Sequence, residues 1–386
     1  MQSVNVTFPS FTGVELAGTI DRPDAPATAY AVLAHNFAGS RHTPGSSRMS
    51  KQLTEHGIAT LRFDFQGLGG SKGDFADTSF TQNVEDVVAA AEWLKENYRA
   101  PQLLIGHSLG GAAVLRAASE HKMPYLHAVA TVGAPFDPAH SVLHYADSVS
   151  EADKNGSVTV TLGGKDLVIS RAFLEDLASL NPETYLPKLR KALLLVHSPI
   201  DQMVGIDNAQ TIFRATRYPK SLMSLDKADH LLTKTGTAQR AADIIGTWAK
   251  QYIEPEFTPE PTTDDNAISR TARGTRFGDV VRTSNREITT DRPRNNGGRG
   301  QGVTSKGLFM SSLATSTSQA IREAAKGMKL DDVRVEVTHI TGATFERKIT
   351  LYGQLNDDQK RTLYAAANTS EIDEILAKRK IVTVHQ

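Results

Sequence analysis

The stretch Leu103-Leu104-Ile105-Gly106-His107-Ser108-Leu109-Gly110-Gly111-Ala112-Ala113-Val114-Leu115 constrains the fold more than any other part of the chain. Leu103 to Ile105 is an apolar run of the kind buried inside a sheet, and an apolar helical pattern begins after Gly110. A chain that passes from strand to helix this quickly must turn sharply. The residue at the centre of the turn, Ser108, is then forced into a strained backbone conformation. Glycine at 106 and 110 lets the two elements approach with no Cβ between them. The hydroxyl is held clear of both, at a helix N-terminus whose dipole and unpaired N–H groups favour negative charge. Gly-x-Ser-x-Gly also occurs where a serine merely caps a helix. The legible strand and helix on either side favour a nucleophile here, so Ser108 is the first candidate catalytic residue.

A serine hydroxyl is a poor nucleophile until a base takes its proton and a carboxylate orients that base. The residues around Ser108 predict where these partners stand. Strands are expected at Val4 to Phe8, Val14 to Ile20, Ala29 to Ala34, Ile58 to Phe65, Ala128 to Val132, Ala192 to His197 and Ser221 to Leu225. Helices are expected at Ser46 to His56, Thr81 to Tyr98, Ala209 to Ala215 and Ala238 to Tyr252. This alternation predicts a doubly wound, mostly parallel α/β sheet covered on both faces. Phe136 to Leu189 breaks the alternation with a hairpin around Gly163-Gly164 and a helix over Arg171 to Ala178, which reads as a small cap insertion.

Two loops after strands carry the remaining candidates. Ser198-Pro199-Ile200-Asp201 offers the orienting carboxylate, Asp201, and Asp226-Lys227-Ala228-Asp229-His230 offers the general base, His230. The order Ser, Asp, His, each on a loop following a strand, is the order this fold class needs. Asp201 could instead cap a turn, and Asp207 could cap a helix at Asn208. Asp229 adjoins His230 and points the wrong way to orient its ring, and Asp226 ranks below Asp201. His107 is directed away from the serine and is not the base. The oxyanion needs two backbone donors: the N–H of Leu109 and, from His35-Asn36-Phe37, the N–H of Phe37. Asn36 stands where a glycine is common and tolerates a left-handed conformation. The glycine-rich loop Gly67 to Gly73 matches neither nucleotide-binding fingerprint and reads as a tight structural loop.

The whole chain narrows the function classes. Its 386 residues suggest two domains, or one with a large appendage, and a hydrophobic content of 39% is ample for a core. Its formal net charge is zero, and no apolar run is long enough to span a bilayer, so neither nucleic acid nor membrane is expected as a partner. The absence of cysteine excludes disulfides and thiolate chemistry. No metal or cofactor is expected. Met1 to Pro9 lacks a basic region followed by an apolar core, so a cytoplasmic protein is the default.

Residues 1–253 resemble the α/β-hydrolase superfamily, on His35-Asn36-Phe37, Arg62-Phe63-Asp64-Phe65-x-Gly67-x-Gly69-x-Ser71, Gly106 to Gly111, His197-Ser198-Pro199-x-Asp201 and Asp229-His230. The resemblance implies hydrolysis of carboxylic esters or related acyl bonds. Residues 254–266, rich in proline and acid, read as a linker. Residues 267–386 follow an α+β pattern, with a hairpin from Thr275 to Thr290, a helix from Leu308 to Ala325, strands at Val333 to His339 and Thr344 to Tyr352, two further helices, and a last strand at Lys380 to Val384.

This tail is similar to the OsmC/Ohr family, on Asp291-x-Pro293, Gly297-Gly298, Leu313-Ala314-Thr315-Ser316-Thr317, Val333 to Val337 and Gly353-x-Leu355. The tandem looks like the bifunctional hydrolase–OsmC fusions. The resemblance places the family's two reactive cysteines at Ser316 and at Ser370, with Thr369 as the alternative to the latter. It puts Lys306-Gly307 where a glutamate is usual. Serine cannot pass through a sulfenic acid, so no thiol peroxidase activity is expected. The resemblance also implies an intertwined homodimer built through this domain. The expected function is therefore hydrolysis of a small-molecule ester, with small-to-medium acyl chains, through an acyl-serine, with the tail as a dimerisation module. The alternatives are a prolyl-type aminopeptidase or thioesterase using the same three residues, or a non-enzymatic scaffold with a ligand-binding tail.

Overall fold

The computed structural model describes every residue except 25, 140–155, 163–164, 254–259, 273–275, 301 and 378–386. Two compact units divide the chain, Met1–Glu260 and Pro261–Gln386.

The first unit is built on an eight-stranded sheet. Its strands are β1 (Gln2–Pro9), β2 (Glu15–Arg22), β3 (Ala29–Ala34), β4 (Ile58–Phe63), β5 (Leu103–His107), β6 (Ala128–Val132), β9 (Ala192–His197) and β10 (Lys220–Ser224). They lie in the order β1-β2-β4-β3-β5-β6-β9-β10. β1 and β2 run antiparallel to their neighbours, and every pairing from β4 to β10 is parallel. Parallel strands need crossovers, which here are α1 (Pro44–Leu53), α2 (Phe80–Asn97), α3 (Leu109–Glu120), α6 (Ile206–Ala215) and α7 (Thr237–Ala249).

Both faces of the central strands are buried, which explains why they are continuously apolar. On β3, Val32 and Ala34 join Val84, Val87 and Val114 in one core, while Ala31 and Leu33 join Met49, Leu53 and Ile245 in the other. The period-2 alternation of Cβ atoms assigns each side chain to its layer.

The insertion after β6 contains the hairpin β7 (Ser157–Leu162) and β8 (Lys165–Ser170), then α4 (Arg171–Ala178) and α5 (Pro182–Tyr185). The expected turn at Gly163-Gly164 lies outside the described residues. Phe173 of α4 anchors the insertion: its ring centroid is 5.2 Å from that of Phe75 and 6.1 Å from that of Phe37, at the carboxyl end of β3. Asp176 adds a polar clamp, accepting from the Thr81 N–H (2.6 Å) and hydroxyl (2.8 Å) at the start of α2.

Several boundaries differ from expectation for local reasons. α1 starts at Pro44, whose fixed φ suits a first turn, and its end tightens into a 3-10 turn, Thr54–His56, stopped by Gly57 at φ 79°. α6 starts at Ile206 behind Gly205, so Asp207 lies in the first turn and Asn208 is not its start. Asn208 instead turns its Oδ1 to the Phe136 N–H, 3.0 Å away.

The second unit holds a three-stranded sheet, β11 (Ala267–Thr271), β12 (Asp279–Thr283) and β13 (Arg286–Thr290), and a separate hairpin, β14 (Lys329–Thr341) and β15 (Thr344–Gln354). Its helices are α8 (Ser305–Ala324), α9 (Asp357–Ala366) and α10 (Glu371–Ala377). β11 has no counterpart in the sequence reading, because Ala267–Thr271 exposes both faces and shows no apolar alternation. The strand expected from Thr275 begins at Asp279. The last strand expected at Lys380 to Val384 lies outside the described residues.

α2 buries two polar side chains, Asn83 and Asp86, among its apolar ones. Asp86 accepts from the Gln66 N–H and from Gln82 Nε2, both at 3.3 Å, and so ties α2 to the loop after β4. Burial raises its carboxyl from 3.8 to about 6, against the opposing effect of those two hydrogen bonds. The folded protein thus holds this proton longer than the unfolded chain does. Stability falls as pH rises from the unfolded value to the folded one, and stays lower above it. Asp86→Asn is expected to gain stability relative to the parent by about 1–2 kcal/mol between about pH 5 and about pH 8. Urea unfolding at the two pH values checks this, and a gain in the opposite direction contradicts it.

Candidate active site

The loops that follow β3, β5, β6, β9 and β10 meet at the carboxyl edge of the sheet, where crevices of open α/β sheets form. Ser108 stands between β5 and α3 at φ 53°, ψ −123°. A Cβ on Gly106 would overlap the Gly110 carbonyl, and one on Gly110 would overlap the His35 carbonyl. The turn is therefore closed to any other residue at those two positions.

The loops bring three of the expected side chains together. His230 Nε2 lies 2.8 Å from Ser108 Oγ, and His230 Nδ1 lies 2.7 Å from Asp201 Oδ2. Asp201 Oδ1 accepts from the N–H groups of Met203 (2.9 Å) and Val204 (3.0 Å). Burial opposes ionisation of Asp201, yet the His230 and backbone hydrogen bonds hold its carboxyl below the usual carboxylate range. It is a fixed anion facing an imidazole that faces a hydroxyl. Chemically, such a chain can accept a proton from the serine and stabilise the resulting imidazolium. The rival acids are occupied elsewhere: Asp229 accepts from Thr233 and Lys234 N–H groups, and Asp226 from the Ser224 hydroxyl.

Phe37 and Leu109, the expected backbone donors, line one small cavity together with His35, Asn36 and Asn83. Leu109 is the first residue of α3, so its N–H has no partner within the helix. The left-handed residue of the loop after β3 is Ala38, at φ 56°, and not Asn36. Asn36 donates to the Phe37 carbonyl (3.0 Å), and its own carbonyl accepts from the Gly39 N–H (2.9 Å). This bonding bends the loop two residues beyond Asn36.

A family model described as serine aminopeptidase, S33, matches residues 26–162. A solved esterase domain from a Rhodothermus marinus protein is 43% identical, with a TM-score of 0.54 over 66% of this chain and 100% of that one. The chain belongs to the α/β-hydrolase family. Est1E from Butyrivibrio proteoclasticus, 16% identical with a TM-score of 0.53 over 64% of this chain and 98% of that one, shares the fold. Palmitoyl-protein thioesterase ABHD10, mitochondrial, from Rattus norvegicus is 32% identical over 108 residues, 26% of this chain and 35% of that protein. The chain thus matches about a third of the length of that relative.

Four residues of the hydrolase site were not assigned a role by the sequence. Gly133, at φ 58°, follows β6, and a Cβ there would sit 3.3 Å from Asp201 Oδ2 and 3.4 Å from His230 Nδ1. Its lack of a side chain leaves room for the Asp–His pair. Buried His107 donates from Nε2 to the His230 carbonyl at 2.7 Å, fixing the backbone that carries the His230 ring. Burial, together with the nearby His230, pushes its imidazole down to about 4, so it is a neutral donor. His197 Nε2 holds the Val204 carbonyl at 2.8 Å within the Asp201 loop, and Ser198 Oγ donates to the Ala228 carbonyl at 2.8 Å, joining that loop to the His230 loop. A histidine within the motif and a glycine ending a strand are visible signals, but neither specifies its partner until the loops are assembled.

In the second unit, Ser316 and Ser370 are buried. Ser316 Oγ accepts from the Ile372 N–H at 3.3 Å, and Ser370 donates to Asp373 at 2.7 Å. Thr369, the alternative position, is exposed, with its hydroxyl on the Ala366 carbonyl. Among the described residues no helix is long and apolar enough to cross a membrane, and no group of acidic and histidine side chains is arranged to hold a metal.

Proposed function

We propose that this hydrolase cleaves carboxylic esters of small-to-medium acyl chains through an acyl-serine. The observation that carries the reading is the continuous hydrogen-bonded chain from Ser108 through His230 to Asp201. His230 Nε2 takes the Ser108 proton as the oxygen attacks the ester carbonyl. The Phe37 and Leu109 N–H groups receive the oxyanion, and each such donor is worth about 3 kcal/mol. His230 then protonates the departing alcohol. In the second half, water gives its proton to His230 and attacks the acyl-serine, and Ser108 leaves as the free hydroxyl.

A second reading, thioester cleavage, is favoured by the likeness to palmitoyl-protein thioesterase ABHD10 and needs the same steps with a thiol leaving group. Peptide cleavage ranks below both. An aminopeptidase needs a carboxylate to hold the substrate amine, and among the described residues of the insertion Glu175 and Asp176 are already engaged by Arg171 and Thr81. Hydrolysis of p-nitrophenyl butyrate and palmitate, palmitoyl-CoA and an amino-acid p-nitroanilide tests these readings. The butyrate ester is expected to give the highest kcat/KM, and Ser108→Ala to lower kcat by about 10⁴-fold or more. Preferred cleavage of palmitoyl-CoA favours the thioesterase reading, and an undiminished Ser108→Ala refutes the mechanism.

For the second unit we keep the OsmC/Ohr-like reading, as a dimerisation module without peroxidase chemistry. Two features support it. Among the described residues, the apolar cluster of this unit buries Ile321, Ala325, Leu363 and Ala367, and Ala272 and Leu313 are also buried. Ile340, Tyr352, Tyr364 and Ile375 are exposed. A unit with so thin a core gains from a second copy that covers such surface. Light scattering of the full chain is expected to give twice 41.8 kDa. A monomer mass overturns the assignment.

A further inference from the structure

At the edge of the sheet opposite Ser108, the amino-terminal ends of β6 and β9 border an open cleft of about 610 Å³. Its walls include Arg190, Lys191, Arg217, His127, Tyr218 and Tyr252, and none of its lining residues carries a carboxylate. β9 leaves this cleft at Ala192 and ends at His197, four residues before Asp201, so the two sites are a strand's length apart.

Several arginines elsewhere in the chain are ion-paired. Arg62 lies 2.7 Å from Asp21, Arg116 2.9 Å from Glu120, and Arg171 2.7 Å from Glu175. Among the described residues, neither the Arg190 nor the Arg217 guanidinium has an ion-pair or hydrogen-bond partner. Lys191 is half-buried and donates to the Met123 carbonyl at 3.0 Å, which leaves further N–H bonds free for an acceptor. Burial pushes its ammonium below the ordinary lysine range. Beside them the Tyr218 ring is 80% exposed, and Lys220 Nζ sits 5.0 Å from its centroid. A solvated basic face spreads its charges over convex surface. Here three cations line one concavity without a counter-charge, and in a concavity an incoming anion gains more than at an open surface.

We infer that this cleft binds a phosphate monoester carrying an aromatic group. The planar guanidiniums of Arg190 and Arg217 each present paired N–H donors that match phosphate oxygens, and Lys191 adds a point charge. Tyr218 offers an apolar ring face to the aromatic part. The site is independent of the ester chemistry, since no residue in it reaches Ser108, His230 or Asp201.

Calorimetric titration of the full chain with adenosine monophosphate and with inorganic phosphate tests the inference. Saturable binding is expected for both, tighter for the nucleotide, and weaker as salt rises. Arg190→Gln with Arg217→Gln is expected to weaken both ligands by about tenfold or more, while hydrolysis of p-nitrophenyl butyrate stays at the parental rate and reports an intact fold. Tyr218→Ala is expected to remove the preference for the nucleotide and to leave inorganic phosphate binding unchanged. Absence of saturable binding up to about 1 mM, or binding that the double variant leaves unchanged, overturns the site. A glutamate-rich peptide that binds while both phosphates do not overturns the ligand class.

Discussion

The positive φ of Ser108 is the constraint on which the first unit depends. A non-glycine residue holds this conformation only where the structure around it leaves no alternative. Here the Ser108 N–H is fixed on the Val132 carbonyl at 2.9 Å, and the glycines at 106 and 110 let β5, α3 and the end of β3 close around it. The cost is of order 1–3 kcal/mol, and the two large cores on either face of the sheet offset it. Relaxing the turn would move the hydroxyl away from His230, so the strain and the hydrogen-bonded chain belong to one arrangement.

The other half of the site is set by hydrogen bonds within the Asp201 loop and between loops that are far apart in sequence. His107, Ser198 and His197 each donate to a backbone carbonyl of a loop bearing Asp201 or His230. These are neutral donors held by burial, and each fixes a main-chain position without adding charge beside the imidazole. Gly133 supplies the remaining requirement, which is space. The result is a carboxylate kept ionised in a buried place because its hydrogen bonds outweigh its desolvation.

What was legible in the sequence follows from physical range. The strands β3, β5, β6 and β9 are buried on both faces, so their apolar runs announce them, and Ser108, Asp201 and His230 follow strand ends in a fixed order. Asn36 stands where a glycine is common in the β3 loop and can tolerate a left-handed conformation. The bend falls at Ala38, since Asn36 is used for local hydrogen bonds. Buried Asp86 and Asn83 sit at polar positions of α2, and nothing in a helical pattern says that a neighbouring loop will bury them. β11 was missed for the converse reason: an exposed strand has no hydrophobic pattern to show. The basic cleft at the far edge gathers residues from four separated segments, and a net charge of zero hides it.

The central claim is that Ser108 is an activated nucleophile, and the most direct measurement is covalent capture. The full chain is incubated with a fluorophosphonate and its peptides are mapped. The account predicts one modified residue, Ser108, with modification lost when His230 is replaced by alanine. Modification at another serine, or a Ser108 that stays unmodified in a folded protein, contradicts it.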